Sequence, residues 1–415
     1  MTEHLTVIYL HQYFNTPNMP GSTRSFEMAR RLVSKGHVVH MITSVRDGNS
    51  SHESGWRTTI EGGVIVHWLP VDYRNSMGFF RRLWAFVKFA IFASVKASTL
   101  KGDLVFATST PLTIVIPGLI ASTLRRVPLV FEVRDLWPDV PIAMGVLKNP
   151  IGKFLARRLE MTAYRRSAQV VALAPGMRDD IIAKGIDATK ITVIPNGCDL
   201  GIFGCDLSER VRELRGATPW LGSRKLVFYG GAVGRLNGVG YLVDIAAAMH
   251  RTDPEVRFLV VGEGAEWDLV ESRARELGVL NDNFFMKSSL PKDQLAVWLA
   301  ASDMALALIS APRVLWKDAV QNKFFDALAA GKPVGCNFSG FQSQVAVEHG
   351  VGFIFPSNDA ESAAQVMRGL LQDENWLNGV AVRARNLAAG QFNRDLLASR
   401  LEEVLTRAAR GDKAA

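Results

Sequence analysis

Apolar and polar positions along this 415-residue chain alternate in two ways. Short, continuous apolar runs recur: LTVIYL, VVHMITS, GVIVHWL, DLVFAT, PLVFEV and QVVALA in the first half, then KLVFYG, VRFLVVG, DMALAL and PVGCNF. Between them lie stretches whose apolar residues return at helical spacing, such as 22–35, closed by Gly36. A short unalternating apolar run suits a strand buried on both faces, and such strands alternating with helices form covered parallel sheets. Two such sets predict an α/β chain of two doubly wound, Rossmann-like domains with a cleft between them. Pro195, Asn196 and Gly197 break the pattern, which gives a first domain over 1–198 and a second over 199–390. A last, polar helix is expected over 391–412. In open α/β sheets ligands lie beyond the carboxyl ends of the strands.

The 48% hydrophobic content is enough for more than one core. Cys198, Cys205 and Cys336 form no CxxC or metal spacing, a sparse, odd set that suits a reducing compartment. The N-terminus enters a strand-like run directly, without the basic and apolar regions of a signal peptide. Charge is uneven. Residues 1–200 carry 24 Lys/Arg against 15 Asp/Glu, or +9; residues 201–415 carry 24 against 25, or −1. The basic half implies an acidic partner, read here as anionic lipid or a phosphorylated acceptor rather than nucleic acid; the competing reading, of equal weight, is a merely solvated basic surface. Residues 76–98, SMGFFRRLWAFVKFAIFASVKAS, sharpen this. Phe79, Phe80, Arg81, Arg82, Trp84 and Lys88 mix aromatics with cations at helical spacing, and no acid occurs between Tyr73 and Gly102. The charge-free runs are too short to span a bilayer. A basic, aromatic helix suits an anionic membrane interface; the competing reading is a domain helix with its aromatics in the core.

Candidate chemistry sits in four places. In DAVQNKFFDALAAGKPV (318–334), a helix starting at Asn322 and stopped by Gly331 carries Lys323 in its first turn, where the helix dipole disfavours a cation unless an anion binds there. With an anion there, Asp326, one turn on, is placed for a ribose diol, and Asp318, before the helix, for hydroxyls across the phosphates; the competing reading, which the local pattern alone favours, is a surface helix with ordinary charges. In KLVFYGGAVGRLNGVGYL, Gly230, Gly231 and Gly234 are expected to offer amides at a helix start, with Arg235 as a fork donor. Glu263 ends the strand of VVGEG. In the first half, the long loop HQYFNTPNMPGSTR brings Gly21 and Arg24 to a helix start. In VFEVRDLWPDVPIAMG, Arg134, Asp135 and Trp137 emerge at a strand end, and Pro138 and Pro141 predict an extended turn. The acids and the eight histidines are dispersed, without metal-ligand spacing.

Asp318-x7-Asp326 followed by ALAAGKPV resembles the E-x7-E signature of retaining GT4-type glycosyltransferases of GT-B fold, with aspartates in place of glutamates. The resemblance covers nearly the whole chain, with the motifs in the family's order, and implies that the helix over 391–412 packs back on the first domain. It implies that Asp318 and Asn322 meet the donor sugar side and Asp326 the nucleotide ribose. Gly230, Gly231, Gly234 and Arg235 would then form the diphosphate loop, with Glu263 beside the donor. Asn237–Gly238 replaces the family's Lys–Gly, leaving Lys323 as the second cation. GSTRSFE matches the family's N-terminal segment and implies that Gly21 and Arg24 face the acceptor. EVRDLWP resembles the subgroup that builds bacterial surface polysaccharide such as O-antigen or capsule, including N-acetyl-fucosamine transferases. Arg134 stands where other members have His, so Asp135 is expected to orient or deprotonate the acceptor, with Trp137 nearby. The implied activity is retaining transfer of an N-acetylated hexose or deoxyhexose from a UDP-sugar to a polyprenyl-diphosphate-linked sugar. It implies no cofactor or metal, and a site on the inner face of the cytoplasmic membrane. A sugar-nucleotide epimerase and a non-catalytic sugar-nucleotide or lipid-binding scaffold remain open alternatives.

Overall fold

Fourteen strands form two sheets in the computed structural model, which describes residues 4–19, 21–45, 55–71 and 79–411, and of residues 79, 80, 82 and 83 the backbone alone. The chain divides into Met1–Pro195 with Asp395–Ala415, and Asn196–Arg394. The first unit runs β1 (Thr6–Leu10), α1 (Arg24–Ser34), β2 (Val38–Ser44), β3 (Arg57–Glu61), β4 (Val64–Leu69), α2 (Phe79–Thr99), β5 (Leu104–Thr108), α3 (Val115–Arg125) and β6 (Leu129–Val133). It continues with α4 (Asp139–Ala143), α5 (Pro150–Arg166), β7 (Gln169–Ala172), α6 (Pro175–Ala183) and β8 (Ile191–Val193). The second unit holds α7 (Leu200–Phe203), α8 (Ser208–Gly216), β9 (Leu226–Gly230), α9 (Gly240–Thr252), β10 (Arg257–Val261), α10 (Trp267–Glu276), β11 (Phe284–Lys287), α11 (Lys292–Ala301) and β12 (Met304–Ala307). After these come α12 (Asn322–Ala329), β13 (Val334–Cys336), α13 (Phe341–Glu348), β14 (Gly352–Ile354), α14 (Ala360–Gln372) and α15 (Glu374–Ala389), and the chain ends on α16 (Arg394–Arg410).

The first sheet has the order β3-β4-β2-β1-β5-β6-β7-β8. All its pairings are parallel except β3 with β4, which corrects the expectation of purely parallel sheets. The reason is local. Glu61 pairs with Val64 across Gly62 and Gly63, whose φ values of +57° and +83° are those of a tight primed hairpin turn. The strand itself, RTTIE, is too polar and exposed to read as a covered strand. The core of this unit includes Tyr9, Phe14, Trp68 and Phe106, and α16 adds Leu397, Leu401 and Leu405 at four-residue spacing. Lys35 and His37 bind Glu402 at the margin of that packing, and Arg31 binds Asp395.

The second sheet, β11-β10-β9-β12-β13-β14, is parallel throughout. Tyr229, Phe258, Phe284 and Leu306 are among its core. On its other side Trp220 stacks on Phe285, with centroids 3.8 Å apart, and on Trp298 at 5.8 Å. Cys198 and Cys336 are buried in this unit, where burial pushes both thiols well above their ordinary range; Cys205 is exposed.

The expected extended turn at Pro138–Pro141 is instead the start of α4, whose first turn contains Pro141. Proline is tolerated there because a first-turn N–H has no intrahelical acceptor to lose.

Candidate functional site

In the second unit the site grows from α12. Phe324, Phe325, Ala327 and Leu328 are buried, which fixes Lys323 and Asp326, three residues apart, on the remaining face. Gly331, at φ +69°, stops the helix, with Lys332 N–H bonded to Ala327 O at 2.9 Å. At the other end Gln321 provides no side-chain cap, so the first-turn N–H groups keep their partial positive charge. Lys323 enters this positive field. Its Nζ donates to Tyr229 Oη at 2.7 Å and lies 3.9 Å from the Tyr229 ring centroid. The ring's negative face is its nearest compensation, yet burial still pushes the amine down to about 7. Asp326 is shifted the opposite way. Burial raises its carboxyl to about 6, against the pull of Lys292 and Arg394. Lys323, Asp326 and Gly230 line one small recess of about 20 Å³ that opens to solvent, with Phe203, Phe228 and Leu306 in its wall. An amine and a carboxyl held in such strained protonation equilibria, beside uncapped amides, suit a ligand bringing both anionic oxygens and hydroxyls.

The glycine loop is built differently from expectation. Gly231 N–H is already bonded to Val261 O at 2.9 Å, and the chain does not turn helical until Gly240, so these glycines do not form a helix-start amide cradle. Their role is clearance. A Cβ on Gly231 would stand 3.0 Å from Lys323 Nζ, and one on Gly262 would stand 1.8 Å from Gly231 O. Gly234 has open space around it, and Arg235 is exposed in the turn that follows. Glu263 has an exposed side chain, and its carbonyl accepts from Val233 N–H at 2.8 Å. Asp318 is part-buried in the turn before α12, with its Oδ1 shielded from solvent, and Asn322 opens the helix.

Buried amides hold this loop. Gln342 accepts from Gln321 N–H at 3.0 Å and donates to Gln321 O at 2.8 Å. Asn337 makes the same two-point grip on Ile309, at 2.8 and 3.1 Å, and Asn196 donates to Val320 O at 2.7 Å. These residues and Tyr229 escape sequence reasoning, because a glutamine in FQSQVAVEHG carries no sign that it faces inward.

In the first unit the loops after β1, β5 and β6 converge. Arg134 is part-buried; its guanidinium lies 3.2 Å from His11 Nε2 and donates to Ser22 Oγ at 3.1 Å. Asp135 is exposed, accepting from Thr110 Oγ1 at 3.2 Å, and Trp137 is part-buried beside it. Gly21 is exposed at φ +117°, a backbone setting that favours glycine. Arg24 is corrected. It is 2% exposed, pairs with Glu132 at 2.9 Å and donates to the carbonyls of Ile194 and Pro195, so its guanidinium is spent inside the unit rather than on an acceptor. Glu132 also accepts from Thr108 at 2.5 Å. Burial would raise this carboxyl, but Arg24 and Arg134 hold it below its ordinary value. One signal was available: a lone acid inside the apolar run VFEV must be paired if the strand is covered.

The membrane-directed set is partly described. Arg81 and Trp84 are exposed and Lys88 is part-buried; the side chains of Phe79, Phe80 and Arg82 lie outside the described residues. Trp84 is 67% exposed, so the aromatic face of α2 is not all core. Among the described residues, no helix is long and apolar enough to cross a membrane, and no three His, Cys, Asp or Glu side chains are grouped to hold a metal ion.

Two doubly wound α/β units, the second with its candidate site at the strand ends beside a helix start, are the architecture of GT-B glycosyltransferases. Solved structures match over the whole chain: Anabaena HepE in complex with UDP and glucose (TM-score 0.72, 20% identity, 97% of this chain and all of that one). Sucrose-phosphate synthase of Thermosynechococcus elongatus matches as well (TM-score 0.76, 16% identity, 97% and 98%). Two family models, the glycosyl transferase 4-like domain and the glycosyl transferases group 1, match residues 21–197 and 223–373. The chain belongs to the GT4-type glycosyltransferases and is an enzyme of that class. Relatives include Escherichia coli (strain K12) WcaI, named as a glycosyl transferase of colanic acid biosynthesis, 24% identical over 68% of this chain and 71% of the relative. Pseudomonas aeruginosa WbjE, named as a glycosyltransferase, is 27% identical over 68% and 69%.

Proposed function

We propose that this glycosyltransferase moves an N-acetylated hexose or deoxyhexose from a UDP-sugar to a polyprenyl-diphosphate-linked saccharide. The setting is bacterial surface polysaccharide assembly on the inner face of the cytoplasmic membrane. The observation that carries the donor half is the uncapped start of α12, with Lys323 over Tyr229 and Asp326 in the same recess. A diphosphate seated on the first-turn amides would return Lys323 to its charged form and stabilise the leaving group without a metal. Asp326 would accept the ribose hydroxyls, Asp318 would hold the sugar side, and the exposed Arg235 would close on the phosphates. On the acceptor side Asp135 is the group free to reach a hydroxyl, oriented by Thr110, while Arg134 offers a cation to a phosphorylated acceptor. WcaI, named for colanic acid biosynthesis, and HepE, solved with UDP and glucose, support the same reading. Retention follows the family, with the donor phosphate as the proton acceptor on the attacked face.

Calorimetric titration with UDP tests it. The wild type is expected to bind UDP in preference to GDP and NAD. Asp326→Ala and Lys323→Ala should each weaken binding by roughly tenfold or more, the loss of one charge-assisted contact. Binding indifferent to both substitutions would remove the donor site from α12.

A further inference from the structure

In α1 the chain sorts its residues conventionally, with Phe26, Met28 and Leu32 inward. In α2 the order is reversed. The buried stripe is Ala85, Phe89, Ala93 and Ala97, mostly small, while Trp84, Val87, Ile91 and Val95 point to solvent at exposures of 37–67%. A helix that spends alanine on its own core and keeps its large apolar residues outside is not built for water on that face. The reversal continues next door. On α3, which packs on α2, Ile116, Ile120 and Leu124 form an exposed stripe at four-residue spacing. On α5, which packs on α3, Ile151, Phe154 and Leu155 are each at least 60% exposed. Of 23 exposed large apolar residues among the described residues, 12 fall between Trp84 and Leu155; that concentration in one short segment is what singles the face out.

The charge on these helices has one sign at the surface. Arg81 and Lys88 flank the α2 stripe, Arg125 ends α3, and Arg157 and Arg158 lie on α5, with Arg158 on the line of Ile151, Phe154 and Leu155. The single carboxylate of the three helices, Glu160, is buried and bound to Lys184. We propose that α2, α3 and α5 together form a docking face for an anionic lipid bilayer, so that α5 touches lipid as well as the 76–98 segment. Large apolar side chains enter the interfacial layer while flanking cations meet lipid phosphates. A second copy of this chain would set the same cations against each other, and charge complementarity therefore selects the membrane. The inference rests on the lipid-linked acceptor reading for its purpose, but the surface follows from side-chain placement alone.

The full chain is sedimented with vesicles of phosphatidylcholine, with and without phosphatidylglycerol, and compared with the α5 variant Phe154→Ser/Leu155→Ser/Arg158→Glu. All three positions are exposed, and unchanged UDP titration of the variant certifies its second unit, while circular dichroism and thermal unfolding certify the first. Wild type is expected on phosphatidylglycerol vesicles only. The variant should partition roughly tenfold less or weaker still, and salt at about 0.5 M should release the wild type. Equal partition of wild type and variant, absence of wild type from anionic vesicles, or a dimer dispersed by the same substitutions would overturn the proposal. Vesicle binding by a wild type that fails to bind UDP would leave the docking face standing and remove the donor reading instead.

Discussion

Asp326 shows how a side chain can be kept against the interest of the fold. Its carboxyl is raised by burial from 3.8 to about 6, so the folded chain holds a proton there over a range in which the unfolded chain has lost it. The sign follows: this residue's best contribution to stability is made below pH 3.8, and it is lost as pH climbs through about 6. Asp326→Asn is therefore expected to raise the unfolding free energy of the ligand-free protein near neutral pH by about 1–3 kcal/mol, a gain that vanishes in acid, while weakening UDP. Thermal melts across pH read this out, and a variant less stable than wild type at neutral pH would show that the carboxylate is compensated. Residue-scale reading from sequence was uneven. Lys323 was legible because a cation in a first helical turn is a local anomaly. Arg24 was misread, because its partner Glu132 is 108 residues away and nothing nearby announces the pair.

At the scale of elements, α12 was legible in start, stop and face because helix propensity, glycine and periodicity are local signals. What fixes its entry was not. Gln342 reaches from the first turn of α13 to both main-chain groups of Gln321, a contact 21 residues away in the chain that no local pattern announces. Replacing Gln342 by Leu should raise the donor KM by roughly tenfold with little change in kcat, the value of one or two buried hydrogen bonds. Gln342→Glu should recover donor affinity as pH falls and its carboxyl regains a donor proton. Flat, equal pH profiles for the two variants would reduce Gln342 to packing. The hairpin of β3 and β4 was missed for the opposite reason, since its polar strand gives no apolar run, although Gly62–Gly63 was a turn signal in plain view.

Across the whole molecule, the doubly wound character was readable from strand grammar, because strands covered on both faces cannot disguise their composition. The two units have separate cores and return through α16, whose Leu397, Leu401 and Leu405 are buried with the first. Scanning calorimetry should resolve two transitions, with UDP raising only that of Asn196–Arg394, by about 2.7 kcal/mol at a hundredfold excess over Kd. An equal shift of both would mean that the units unfold as one. The cysteines, finally, give the chain a built-in address. Cys198 and Cys336 are sealed and hold their protons tightly, whereas Cys205 lies open between α7 and α8 in the unit that carries α12. A thiol-reactive dye offered to the unaltered enzyme would therefore settle on one atom, giving a fluorescent reporter of donor binding without a single engineered residue.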